Sequence, residues 1–100
     1  MKIIVETVKS RWDQEKYIRV NREGFYLIII KDKESGKVIR KVVRRPIIKK
    51  VRGREYRYLR IYLPWFSTIS SAVGYKKEYP LIIEIKYLGH LNGGENGEEA

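Results

Sequence analysis

The chain contains no cysteine. That excludes a disulfide framework and any thiolate metal site or nucleophile. Histidine occurs once, at His90, beside a glycine and close to the C-terminal end, and reads as a surface residue rather than a ligand or base. Aspartate occurs only at Asp13 and Asp32, both in turn-like stretches, and no cluster of His, Asp and Glu has metal-ligand spacing. Gly93-Gly94 lacks the lysine and the strand–helix frame of a phosphate loop. With no base or nucleophile set against a partner group, the expectation is a protein that is not an enzyme and takes no cofactor. No apolar run approaches the roughly 20 residues that span a bilayer. Glu6 and Lys9 interrupt the apolar start too early for a signal peptide. The location expected is cytoplasmic, with no membrane contact.

What is present is strand-forming and basic. The 100 residues suit one domain with a modest core. Hydrophobic residues make up 43%, dominated by isoleucine, valine and tyrosine, which favour strands. The formal net charge is +10, which attracts polyanions. Abundant Lys, Arg, Glu and Ile with a single glutamine resembles thermophile composition and hints at an archaeal source.

The charge is concentrated. Residues 37–60 hold 11 basic side chains and one acidic one, whereas residues 1–36 hold 8 against 6 and residues 61–100 hold 3 against 5. Within this middle segment arginine (Arg40, Arg44, Arg45, Arg52, Arg54, Arg57, Arg60) outnumbers lysine (Lys37, Lys41, Lys49, Lys50). Arginine grips phosphate with a planar fork, where lysine acts as a point charge. A merely solvated surface is the plainer alternative for a charge run. A membrane-surface role would come as a basic amphipathic helix, and these residues are strand formers.

The pattern predicts strands over residues 2–9, Lys16–Val20, Phe25–Lys31, Lys37–Arg44, Ile47–Val51, Tyr56–Leu63 and Leu81–Leu88. The apolar run Phe25–Lys31 suggests burial on both faces. Turns fall at residues 10–15, at 21–24, at Lys33–Gly36 with glycine at positive φ, and at Arg52-Gly53-Arg54. Residues 65–73 predict a short helix with Ser67 as N-cap and Gly74 as its stop. Pro46 cannot donate to a ladder and marks a joint. It divides a hairpin unit (1–45) from a second unit (46–88), with a disordered Gly, Asn and Glu tail over 89–100, inside one compact domain. The fold expected is mainly β, with antiparallel hairpins forming a small sheet or barrel and one short helix.

Alternation along a strand puts Arg54, Tyr56, Tyr58, Arg60 and Tyr62 on one face and Glu55, Arg57, Leu59, Ile61 and Leu63 on the other. The second becomes apolar and should pack on the core. The first is a tyrosine row bracketed by arginines. Tyrosine stacks on bases or donates its hydroxyl to phosphate, while arginine neutralises the backbone. The same tyrosines would equally cover an ordinary sheet or line a dimer interface. The candidate nucleic-acid-binding residues are therefore Arg40, Lys41, Arg44, Arg45, Lys49, Lys50, Arg52, Arg54, Tyr56, Arg57, Tyr58 and Arg60.

The segment from Arg52 to Tyr87 resembles a swapped-hairpin AbrB-type domain: a basic strand, an apolar-Pro step, a short helix, a glycine, a Lys-rich turn and an Ile-Glu-Ile strand. Leu63-Pro64, Val73-Gly74, Lys76-Lys77 and Ile83-Glu84-Ile85 carry the likeness, which covers about residues 48–88. It implies an intertwined homodimer with basic strands and loops against DNA, in a transcription regulator or antitoxin. The positions carried over are Arg52 and Arg54, then Arg57 and Arg60. The leading expectation is thus a DNA-binding regulator or chromatin-like protein, with DNA favoured over RNA. The alternative is a basic accessory subunit of a polymerase- or ribosome-like machine, docking a protein partner through Trp65 and Phe66.

Overall fold

A computed structural model of the chain describes residues 1–8 and 15–90. The elements run β1 (Lys2–Val8), β2 (Glu15–Val20), β3 (Phe25–Asp32), β4 (Val38–Arg44), β5 (Ile47–Val51), β6 (Arg54–Tyr62), α1 (Phe66–Val73) and β7 (Tyr79–Gly89). They form a four-stranded sheet in the order β1-β7-β3-β4 and a three-stranded sheet in the order β2-β6-β5. Every pairing is antiparallel. The fold is therefore mainly β with one short helix, as expected, and the sheets remain open rather than closing into a barrel. Each sheet takes strands from both sides of Pro46.

The two sheets share one core. Val8, Tyr26, Ile28, Ile30, Leu81, Ile83 and Ile85 of the larger sheet pack with Leu59, Ile61 and Leu63 from β6 and its end, and with Ile69 of α1. The alternation read from sequence is realised in β6, where Leu59 and Ile61 are buried while Arg60 and Tyr62 are exposed. β3 departs from expectation. It is buried at every second residue only, because nothing among the described residues covers the outer side of the four-stranded sheet. The predicted two-faced burial is corrected to one face.

The turns follow their residues. In the β3–β4 connection Gly36 has φ +76°, its N–H bonds the Asp32 carbonyl at 2.8 Å, and Ser35 N–H bonds the Asp32 carboxylate at 2.9 Å. Burial disfavours the charged form of Asp32, but hydrogen bonds from Ser35 and the nearby Lys76 charge outweigh it, so its pKa lies below the ordinary value. The β5–β6 turn has positive φ at both central residues, Arg52 (+53°) and Gly53 (+79°), the signature of a type I′ hairpin.

The helix differs in its start. Its N-cap is Trp65, in extended conformation and without a side-chain cap, and Ser67 lies inside the first turn. Gly74 is the stop, as read from sequence, donating its N–H to Ser70. The helix is held by tertiary packing rather than caps or propensity: Ile69 is buried, and Phe66 meets the Tyr79 ring edge-on at 4.9 Å. The buried Tyr79 hydroxyl accepts from Lys76 N–H and donates to the Gly74 carbonyl. The last strand consequently starts at Tyr79 instead of Leu81, with Pro80 inside it. Pro80 lends only its carbonyl, accepting from Lys33 N–H at 2.9 Å. The strand also runs on through Gly89, the first residue of the tail expected over 89–100. Residues 91–100, the end of the first predicted strand at Lys9, and most of the predicted turn at 10–15 lie outside the described residues. No helix is long and apolar enough to cross a membrane among the described residues.

Candidate nucleic-acid interface

β6 is the middle strand of the smaller sheet, and its two neighbours are staggered. β2 pairs with residues 57–62 and β5 with residues 54–58. The registers Tyr17↔Arg60, Arg19↔Tyr58, Ile47↔Tyr58 and Lys49↔Tyr56 place these residues on the solvent face of the sheet, opposite Leu59 and Ile61. The tyrosine row of β6 is thereby widened into a patch. Tyr17 and Arg19 join from β2, and Ile47, Lys49 and Val51 from β5.

The side chains of that patch interlock. Arg60 donates from Nε to the Tyr17 hydroxyl and from Nη1 to the Tyr62 hydroxyl, both at 3.1 Å. Those bonds raise the Arg60 pKa beyond its already high value, so it is a permanent cation. Arg19 lies over the Tyr56 ring at 4.4 Å, and Lys49 lies over the Tyr17 ring at 4.3 Å with the Tyr58 ring farther off at 5.9 Å. The Tyr56 and Tyr58 rings are 6.5 Å apart. Such contacts are attractive, about 0.5–1 kcal/mol each at exposed sites, yet they cancel no charge. Glu15 is the one carboxylate that the register puts on this face among the described residues, opposite Tyr62. None of the described ion pairs involves Arg19, Lys49 or Arg60.

Beyond the core the β5–β6 hairpin continues as an exposed arm, with every residue of β5 exposed. Its tip carries Lys50, Arg52 and Arg54, and Arg52 and Arg54 line a hollow there together with Val51 and Tyr56. Arg52 is the only non-glycine residue with positive φ among those described, a strained conformation for a side chain with a Cβ.

The residues singled out from sequence do not form a single ribbon. Lys49, Tyr56, Tyr58 and Arg60 converge on the solvent face, and Lys50, Arg52 and Arg54 sit at the tip. Arg45 and Arg57 are instead held by Glu23 in the β2–β3 turn, at 2.8 and 3.3 Å. Hydrogen bonding from Arg45, then from Arg57, lowers the Glu23 pKa against the opposing effect of burial. Arg40 donates to the Tyr62 carbonyl at 2.9 Å and Arg44 to the Val43 carbonyl at 3.2 Å. Lys41 pairs with Ile29 on the outer face of the other sheet. Lys37 reaches the Ala72 carbonyl at the end of α1. The reason for the dispersal is the step at Pro46: β4 lies in one sheet and β5 in the other.

Sequence reasoning missed Tyr17 and Arg19 altogether and left Tyr62 out of the binding set. The alternation Tyr17, Arg19 against Ile18, Val20 carries a signal, but its meaning depends on β2 pairing with β6. Of the two residues read as a protein-docking point, Trp65 is 54% exposed, whereas Phe66 packs on Tyr79 and the core. Comparison with protein-family models, curated sequences and solved structures finds no match to this chain.

Proposed function

We propose that this protein binds nucleic acid, DNA in preference to RNA, through the solvent face of the β2-β6-β5 sheet and the arm that extends from it. One observation carries the reading: three ring-bound cations, Arg19, Lys49 and Arg60, share a face with four tyrosines, and no described ion pair neutralises any of the three. Cations resting on rings keep their charge and are free to move onto phosphate. Contacts of this kind are mainly to the backbone and strongly salt-dependent. The protein serves in the cytoplasm as a transcription regulator or chromatin-like binder rather than an enzyme, and the AbrB-type likeness over residues 48–88 belongs to the same proposal. That likeness implies an intertwined homodimer. The partly exposed Trp65 favours a second reading, an accessory subunit of a larger nucleic-acid machine.

Titration of labelled duplex DNA against Arg52→Ala, Arg54→Ala and Arg60→Ala at several salt concentrations tests the assignment. Each substitution weakens binding across many sequences and lowers the salt slope by about one. Unchanged affinity in all three variants removes the surface.

A further inference from the structure

The proposed site leaves open which form of nucleic acid it takes. Its geometry bears on this through the pairing of rings with cations. Tyr56 carries Arg19, Tyr17 carries Lys49, and Tyr62 carries Arg60. Tyr17 is 39% and Tyr62 43% exposed. Same-face positions along β6 recur about every 6.7 Å, so Tyr56, Tyr58 and Tyr62 spread over roughly 20 Å of a shallow surface. In a duplex the base faces are stacked on one another and only their edges reach the grooves. A row of tyrosine ring faces finds nothing to stack on there. An unpaired strand offers both complements at once, a base face for each ring and a phosphate for each cation.

Resting on the reading above, we infer that the tyrosine-lined face is a stacking platform for an unpaired strand, with Tyr17, Tyr56, Tyr58 and Tyr62 taking bases. As a base settles on a ring, Arg19, Lys49 or Arg60 is displaced onto the accompanying phosphate. No bond is made or broken, and the exchange of cation–π contact for ion pairing is reversible.

Fluorescence anisotropy with three labelled probes of equal phosphate count per strand tests this: a thymidine oligomer of about ten nucleotides, within the span of known sheet-based single-strand sites, an abasic oligomer, and a duplex. The unmodified protein binds the thymidine oligomer at least tenfold more tightly than the abasic one, and more tightly than the duplex. Tyr58→Ala and Tyr17→Ala each weaken the thymidine complex about tenfold and leave the abasic complex within twofold. Arg60→Ala weakens all three. Equal affinity for thymidine and abasic oligomers, or a preference for duplex, overturns the stacking inference while sparing the proposed binding function. Failure to bind any of the three overturns both. The abasic comparison needs no variant, so it stands even where a tyrosine substitution perturbs folding.

Discussion

The two outer faces of this sandwich are built over the same core and are chemically opposite. On the four-stranded sheet, the register places Ile3, Val5, Leu27, Ile29, Val43 and Ile82 outward, with Ile3 60% and Val5 53% exposed. Its central charges, Lys31 and Glu84, neutralise each other at 2.8 Å. On the three-stranded sheet, four tyrosine rings outnumber the aliphatic Ile47 and Val51, and Arg19, Lys49 and Arg60 rest on those rings without a carboxylate partner. The lesson is that count alone does not create a field. Lysine and arginine occur on both sides of the molecule: Lys41 and Lys86 stand among the aliphatic side chains of the larger sheet, whereas the cations of the smaller sheet lie against rings whose quadrupoles attract them without cancelling their charge.

The contrast can be broken or sharpened experimentally. The largest effect comes from the shared core: Ile83→Ala removes packing beneath both faces and lowers stability by about 2–5 kcal/mol in urea unfolding. Next, combining Lys49→Ala with Arg60→Ala weakens nucleic-acid binding more than tenfold and reduces the salt slope by about two. Val5→Lys, on the opposite face, leaves that slope unchanged. A smaller effect is expected at the arm. Arg52→Gly relieves the left-handed strain and stabilises the fold by up to about 1 kcal/mol, read as a higher melting temperature, while the salt slope falls by about one. The smallest concerns Glu23. Its pKa is lowered in the fold by Arg45 and Arg57, so its stabilising contribution is present above the ordinary carboxylate pKa and is lost as pH falls through the lowered value. Glu23→Gln therefore lowers the melting temperature near neutrality, and the gap from the unmodified protein closes under acid conditions.

Local chemistry made much of the fold legible. β-branched runs located the strands, Gly36 and Gly53 marked their turns, and alternation in β6 separated Leu59 and Ile61 from Tyr58 and Arg60. Partnership was not legible. Nothing local to Glu15–Val20 says that this strand lies beside β6, so Tyr17 and Arg19 went unrecognised. Nor does the segment 37–60 announce that Pro46 carries the chain from one sheet to the other and parts Lys41 from Lys49. Glu23 is distant in sequence from both arginines it restrains. A tally of charge along the chain is blind to such long-range pairing. The helix start failed for a related reason: serine's preference for the cap position yielded to the packing of Phe66 and Ile69.

β5 stops pairing at Tyr58, well short of the end of β6. Past that point the Tyr62 carbonyl accepts from the Arg40 guanidinium. An arginine head group thus stands where another backbone would otherwise be welcome. A visiting strand seeking this carbonyl must first evict a charged occupant. The contact occupies that one position on the edge of β6, and it leaves the neighbouring aromatic surface open.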